Sequence, residues 1–337
     1  MRTMRSFQTA EVSDPVMAKF SMVAPVLEAT LYSLQMARVH RLGGYQSITL
    51  QDLAREFREG NGDAGICFEW TVHEAIATRH PLIWTLASEV LEDHCNISGG
   101  ADSILFGPEK DGRIPVLESV TDALTPDSRL YVGQRGHPPK LQRYIPDIIE
   151  TFQAKGRGEK LPRSISGVWK ADLFVGNPSS DKWVGTTVKS RSSGLEGAMG
   201  LRLGIYPQEN ERDHPRHDGT LNLVRLPLPY DGGFSELYYK SFYLVRAFLR
   251  ADAGAPSRID LPDAEDRYIT DELRKRAEFP VLEVIDSIRN MSQHDLVHTE
   301  EVVSMRSDVS LAADGLVESL ADDFGDAVSL APSPQTF

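Results

Sequence analysis

From residue 234 to 249 apolar side chains recur at helical spacing. Phe234, Leu237, Tyr238, Phe242, Val245 and Phe248 or Leu249 mark the strongest amphipathic helix in the chain. A second helical pattern starts at Asp14-Pro15 and runs through Phe20, Val23, Val26, Leu27, Leu31, Leu34 and Met36, with a kink or restart expected at Pro25 and an end at Gly43-Gly44. Thr49 caps a short helix, and Phe68, Val72 and Ile76 share one face of another that follows the 60–65 loop. Further helices are predicted over 82–91, 139–152 and 271–288, the last broken at Pro280. Between these lie short β-branched and aromatic runs. The segments 168–175 and 183–190 flank Asn177-Pro-Ser-Ser-Asp181 and predict a β-hairpin. Additional strands are predicted at 103–106, 114–117, 129–133, 201–206 and 221–226.

Helices before and after a cluster of strands predict an α/β or α+β fold with a mixed central sheet flanked by helices. The expected organisation is an N-terminal helical segment (1–60) and an α/β core (61–250) with an insertion around 92–136. A C-terminal helical segment (251–313) and an acidic, disordered tail (314–337) follow.

The chain has 337 residues, 41% of them hydrophobic and 25% charged, which fits a soluble globular protein. No apolar run has the length of a membrane span, and no apolar stretch follows Met1-Arg-Thr-Met-Arg-Ser-Phe7 as a secretory signal requires. Cys67 and Cys95 lack CxxC spacing and predict buried thiols in a reducing cytoplasm. The net charge of −13 at first argues against nucleic acid. Its distribution changes that reading. Residues 151–216 hold 11 Lys/Arg against 7 Asp/Glu, whereas residues 251–337 hold 7 against 19. The hairpin therefore lies in the basic part of an acidic protein.

The hairpin also holds the candidate chemistry. Asp172 stands among Ala, Leu, Phe and Val in the first strand, and Lys189 ends the second. A buried carboxylate needs a partner or a metal. A carboxylate and a lysine at one rim suit a hydrated Mg²⁺ (or Mn²⁺), with the lysine aimed at a phosphate or an attacking water. This pair resembles the PD-(D/E)xK nuclease superfamily, whose restriction-endonuclease-like core carries an acid in one strand and acid-x-Lys in the next. Thr187-Val188-Lys189 departs from that pattern at the second acid. The resemblance spans about 65–207. It implies a metal-dependent endonuclease acting on DNA, with a role in prokaryotic defence as the biological setting.

On that reading Asp172 holds the ion with Glu69 or Glu74, since a helix before the hairpin often gives this family a glutamate. Glu196, seven residues after Lys189, is a candidate for the missing acid. Lys170, Lys182, Arg191 and Ser192 are candidate nucleic-acid contacts, together with the basic segment around Lys155 and Arg157. The pairs His214/His217 and His294/His298, the latter near Glu300 and Glu301, are read as surface features. The rival is a non-catalytic nucleic-acid- or protein-binding subunit on the same fold. In it Asp172 bonds to backbone and Lys189 guards a sheet edge. A protein partner or self-association fits either reading.

Overall fold

The computed structural model describes residues 14–110, 123–133, 137–154, 161–229 and 233–292. The chain divides into two compact units, Met1–Val297 and His298–Phe337, and every described residue lies in the first. The expected strand at 114–117, the segment with Lys155 and Arg157, the His294/His298 pair with Glu300 and Glu301, and the acidic tail all fall outside the described residues.

Helix α1 (Asp14–Tyr32) runs unbroken through Pro25, and its side chains are buried on nearly every side. It ends ten residues short of the two glycines. A separate helix, α2 (Met36–Arg41), comes next, and Gly43 and Gly44 then take φ of 87° and 96°. Helix α3 (Leu50–Glu56) opens with a capping box in which Thr49 and Asp52 bond reciprocally. Asp63 caps α4 (Ala64–Ala77), which carries Phe68, Val72 and Ile76 inward as their spacing predicts. Helix α5 (Pro81–Cys95) follows.

The sheet has seven strands: β1 (Asp102–Leu105), β2 (Arg129–Leu130), β3 (Leu173–Asn177), β4 (Lys182–Val188), β5 (Arg202–Pro207), β6 (Arg216–Asp218) and β7 (Leu223–Leu228). Its main order is β1-β3-β4-β5-β7-β6. β1, β3 and β4 are successively antiparallel, β4, β5 and β7 are parallel, and β6 closes the edge antiparallel to β7. β2 lies parallel beside the first residues of β4. The mixed sheet with flanking helices is the expected architecture.

The β3–β4 hairpin forms where the sequence placed it, but its first strand starts late. Val168–Lys170 is a 3-10 turn, closed by the Ala171 N–H donating to the Val168 carbonyl. Gly167 lies against Ala198 so closely that a Cβ there would come within 2.2 Å of the alanine Cβ, and that approach fixes the turn. At the other end Asn177 Oδ1 accepts from the N–H groups of Ser179 and Ser180, at 2.8 and 3.1 Å. In the segment of the surface pair His214/His217, Arg216–Asp218 pairs as the edge strand β6.

Helix α4 packs on β1 and β4, and α5 on β7. A cluster of buried side chains joins Phe106 and Phe174 of the sheet region to Ile145 and Ile148 of α7 (Ile145–Gln153), beyond the four-residue α6 (Gly107–Lys110). The amphipathic stripe of α8 (Phe234–Arg250) is buried as its spacing predicts. Two helices, α9 (Ala264–Lys275) and α10 (Val281–Met291), complete the unit, with Pro280 immediately ahead of α10. Among the described residues no helix is long and apolar enough to cross a membrane.

Candidate active site

Strand register brings the hairpin's chemistry together. Leu173 pairs with Thr186, so the residue before β3 and the residues ending β4 meet at one end of the sheet. The Asp172 N–H donates to the Thr186 carbonyl at 2.8 Å. The Asp172 side chain turns back onto β4. Its Oδ2 accepts from the Thr187 hydroxyl (3.0 Å), the Val188 N–H (3.1 Å) and Lys189 Nζ (3.0 Å). Asp172 is only 9% exposed, and this donor set is what makes an ionised carboxylate tolerable there.

Glu69 reaches the same end from α4. Its Oε1 lies 3.4 Å from Lys189 Nζ, so one ammonium holds both carboxylates. Burial above all, and the Asp172 charge next, push the Glu69 carboxyl well above the usual range, against the pull of Lys189 and Lys110. For Lys189, burial opposes the charge, but Asp172 and Glu69 outweigh it and hold the ammonium above its ordinary range. The shorter contact makes Asp172 the main ion-pair partner.

This has a consequence for pH. A carboxyl raised in the folded state contributes stability that is fully present below its unfolded value of 4.5 and is lost as pH rises through the folded value. We expect the urea midpoint to fall across that window, and to fall less in Glu69→Gln. Equal slopes for parent and variant would contradict the raised carboxyl.

Lys110 was not among the sequence candidates. It is 3% exposed, and its Nζ lies 3.7 Å from Asp172 Oδ1 while donating to the carbonyls of Ala171 and Trp169. Nothing local in Gly107-Pro-Glu-Lys110 signals this, because Phe152 and Asp172, which surround its ammonium, come from distant segments. Arg202 is likewise 1% exposed; it donates to the Glu196 carbonyl.

Among the described residues the remaining candidates make no bond to Asp172. Glu74 is five residues from Glu69, about 140° round the helix, so α4 cannot present both to one site. Instead Glu74 accepts two bonds from Arg289 of α10, at 2.8 and 2.7 Å, and the same guanidinium bonds Glu28 of α1. Burial raises the Glu28 carboxyl, with Arg289 opposing it. His73 Nδ1 meets Ser103 Oγ at 3.0 Å, and burial lowers its pKa to about 4, so it is neutral near pH 7. Glu196 bonds Lys170 at the surface and does not supply the acid missing at Thr187. Lys182 opens β4 and Lys189 follows its last residue, so the two are about 20 Å apart along the strand. Arg191 is exposed beside the site. Ser192 does not offer free donors to a phosphate, because its N–H and hydroxyl both donate to Glu209, at 2.8 and 2.6 Å.

Among the described residues no group of three or more His, Cys, Asp and Glu side chains is gathered for a metal ion. Asp172 and Glu69 provide oxygen donors alone, and among the described residues Oδ1 of Asp172 makes only the long pair with Lys110. Such a donor set suits a hard divalent cation that keeps several waters, as Mg²⁺ does. Comparison with protein-family models, with curated proteins and with solved structures found no match.

Proposed function

We propose that the protein is a divalent-metal-dependent phosphodiesterase that cuts DNA, similar to the PD-(D/E)xK nucleases. The observation that carries this reading is the meeting of Asp172, Lys189 and Glu69 at one sheet end, from a hairpin and the helix ahead of it. Asp172 and Glu69 would hold Mg²⁺ or Mn²⁺, which supplies charge to stabilise the phosphate and lowers the pKa of a bound water. Lys189, whose side chain is 35% exposed, is able to turn outward and donate to a phosphate oxygen. Thr187 keeps Asp172 oriented in place of a second acid. Arg191 and Lys170 belong to the basic stretch 151–216 and would meet the DNA backbone, Lys170 by exchanging Glu196 for a phosphate. A role in defence against foreign DNA, in the cytoplasm, belongs to the same reading.

A second reading is favoured by one observation. The Val188 N–H and the Thr187 hydroxyl both satisfy Asp172 without any ion, as in a non-catalytic nucleic-acid-binding or protein-binding module. The test is purified protein on supercoiled plasmid. On the nuclease reading Mg²⁺ supports cleavage, EDTA stops it, and binding weakens steeply as salt rises. Binding without cleavage in Mg²⁺ or Mn²⁺ would establish the module instead.

A further inference from the structure

The two oxygens of Asp172 are treated differently. Oδ2 accepts three donors within 3.1 Å, from Thr187, Val188 and Lys189. Oδ1 faces the Lys110 ammonium at 3.7 Å, an ion pair too long for a hydrogen bond. The two lysines also differ in freedom. The Lys189 side chain is 35% exposed and has room to swing away, whereas that of Lys110 is 4% exposed. Lys110 is anchored by the Ala171 and Trp169 carbonyls, and its ammonium lies 4.8 Å from the Phe152 ring centre and 5.5 Å from that of Phe106. Buried and anchored in this way, it is held in place far more firmly than Lys189.

We propose that Lys110 is a positioning residue acting through Asp172. Its ammonium is the built-in counter-charge on the Oδ1 side of that carboxylate, and it lowers the affinity of the site for a divalent cation. This rests on the metal-dependent reading above. The physical reason is like-charge repulsion: an ion bound at Oδ1 would sit a few ångströms from a fixed positive charge, in surroundings that screen poorly. The expected sign is therefore opposite to that of an ordinary structural lysine, whose loss would loosen the site and weaken binding.

The experiment is Mn²⁺ binding in the absence of DNA, followed by the electron paramagnetic resonance of free Mn²⁺. Lys110→Gln keeps an N–H donor for the Ala171 carbonyl but removes the charge. Lys110→Met, which keeps the aliphatic stem beside the two rings, is read in parallel, so that loss of folding in one leaves the answer to the other. We expect about tenfold tighter Mn²⁺ binding in the neutral variants, little change in Lys110→Arg, and loss of binding in Asp172→Asn. Unchanged or weaker binding in the folded neutral variants, with Asp172 still required, would overturn the role of Lys110 and leave the metal site standing. Absence of Asp172-dependent Mn²⁺ binding in the folded parent and in both neutral variants would overturn the metal-dependent reading, and this role with it.

Discussion

On the nuclease reading, Asp172→Asn and Lys189→Met will each lower Mg²⁺-supported plasmid cleavage by about a thousandfold, the scale at which preorganised charge stabilises a transition state. The two losses differ in origin, and stability separates them. Asp172 carries the bonds from Thr187, Val188 and Lys189 and the pair to Lys110, so its neutralisation weakens the charge balance around a buried ammonium. Asp172→Asn should cost about 3 kcal/mol in urea unfolding as well as activity. Lys189 is more exposed, and Lys189→Met should cost far less stability at a similar loss of rate. Thr187→Val removes one hydroxyl bond and no charge, so its rate should fall less than about tenfold. If both Asp172→Asn and Lys189→Met cut plasmid as fast as the parent, the hairpin is not a nuclease centre and the binding-module reading replaces it.

Arg289→Met will be among the most destabilising surface-reachable substitutions in the protein. The guanidinium holds Glu74 with two bonds and Glu28 with a third, joining α10 to α4 and α1. Both glutamate side chains are nearly buried, at 12% and 11% exposure, so removing the cation leaves two uncompensated carboxylates side by side. We expect a loss of about 3 kcal/mol at pH 7, below the fully buried limit because Arg289 is itself 33% exposed. The sign with pH follows from Glu28. Its folded pKa lies above the unfolded value, so stability is retained below 4.5 and lost as pH rises through the folded value. Without Arg289 the lowering influence disappears and the folded pKa rises further. The deficit of the variant should therefore shrink towards pH 5 and grow towards pH 8, as urea midpoints will report. Because Glu74 stands apart from Asp172, cleavage per folded molecule should be unchanged; a matching loss of specific activity would place this cluster in the active site after all.

The hairpin and its pair of charged residues were legible because strand pairing is local. β-branched runs, a turn sequence and one acid among apolar residues suffice to align Asp172 with the end of β4. The late start of β3 was not legible, since the 3-10 turn at Val168–Lys170 depends on Gly167 meeting Ala198 from another segment. The choice between Glu69 and Glu74 had the same difficulty. Helical spacing places them on different faces, but which face meets the sheet is decided by packing on β1 and β4, and Arg289 claims Glu74 from far downstream. Glu196 was legible as a nearby acid, yet Lys170 takes it at the surface. Lys110 carried no signal, because a buried lysine looks like any other lysine until its partners are in place.

Helix α1 has a consequence for how the chain is made. It is buried on nearly every side, and it packs on α4, α8, α9 and α10, three of which come from the last third of the described chain. The entry to α3 is also stitched to the entry of α10 by backbone bonds: Leu50 donates to Phe279, Gln51 to Ala277, and Val281 to Ile48. During synthesis α1 leaves the ribosome long before α8, α9 and α10, three of the helices that cover it. Until those helices emerge, the growing chain carries an incompletely covered apolar rod. Expression at high rate will favour aggregation of nascent chains, and chaperones that shelter apolar segments, or slower growth at low temperature, will raise the soluble yield.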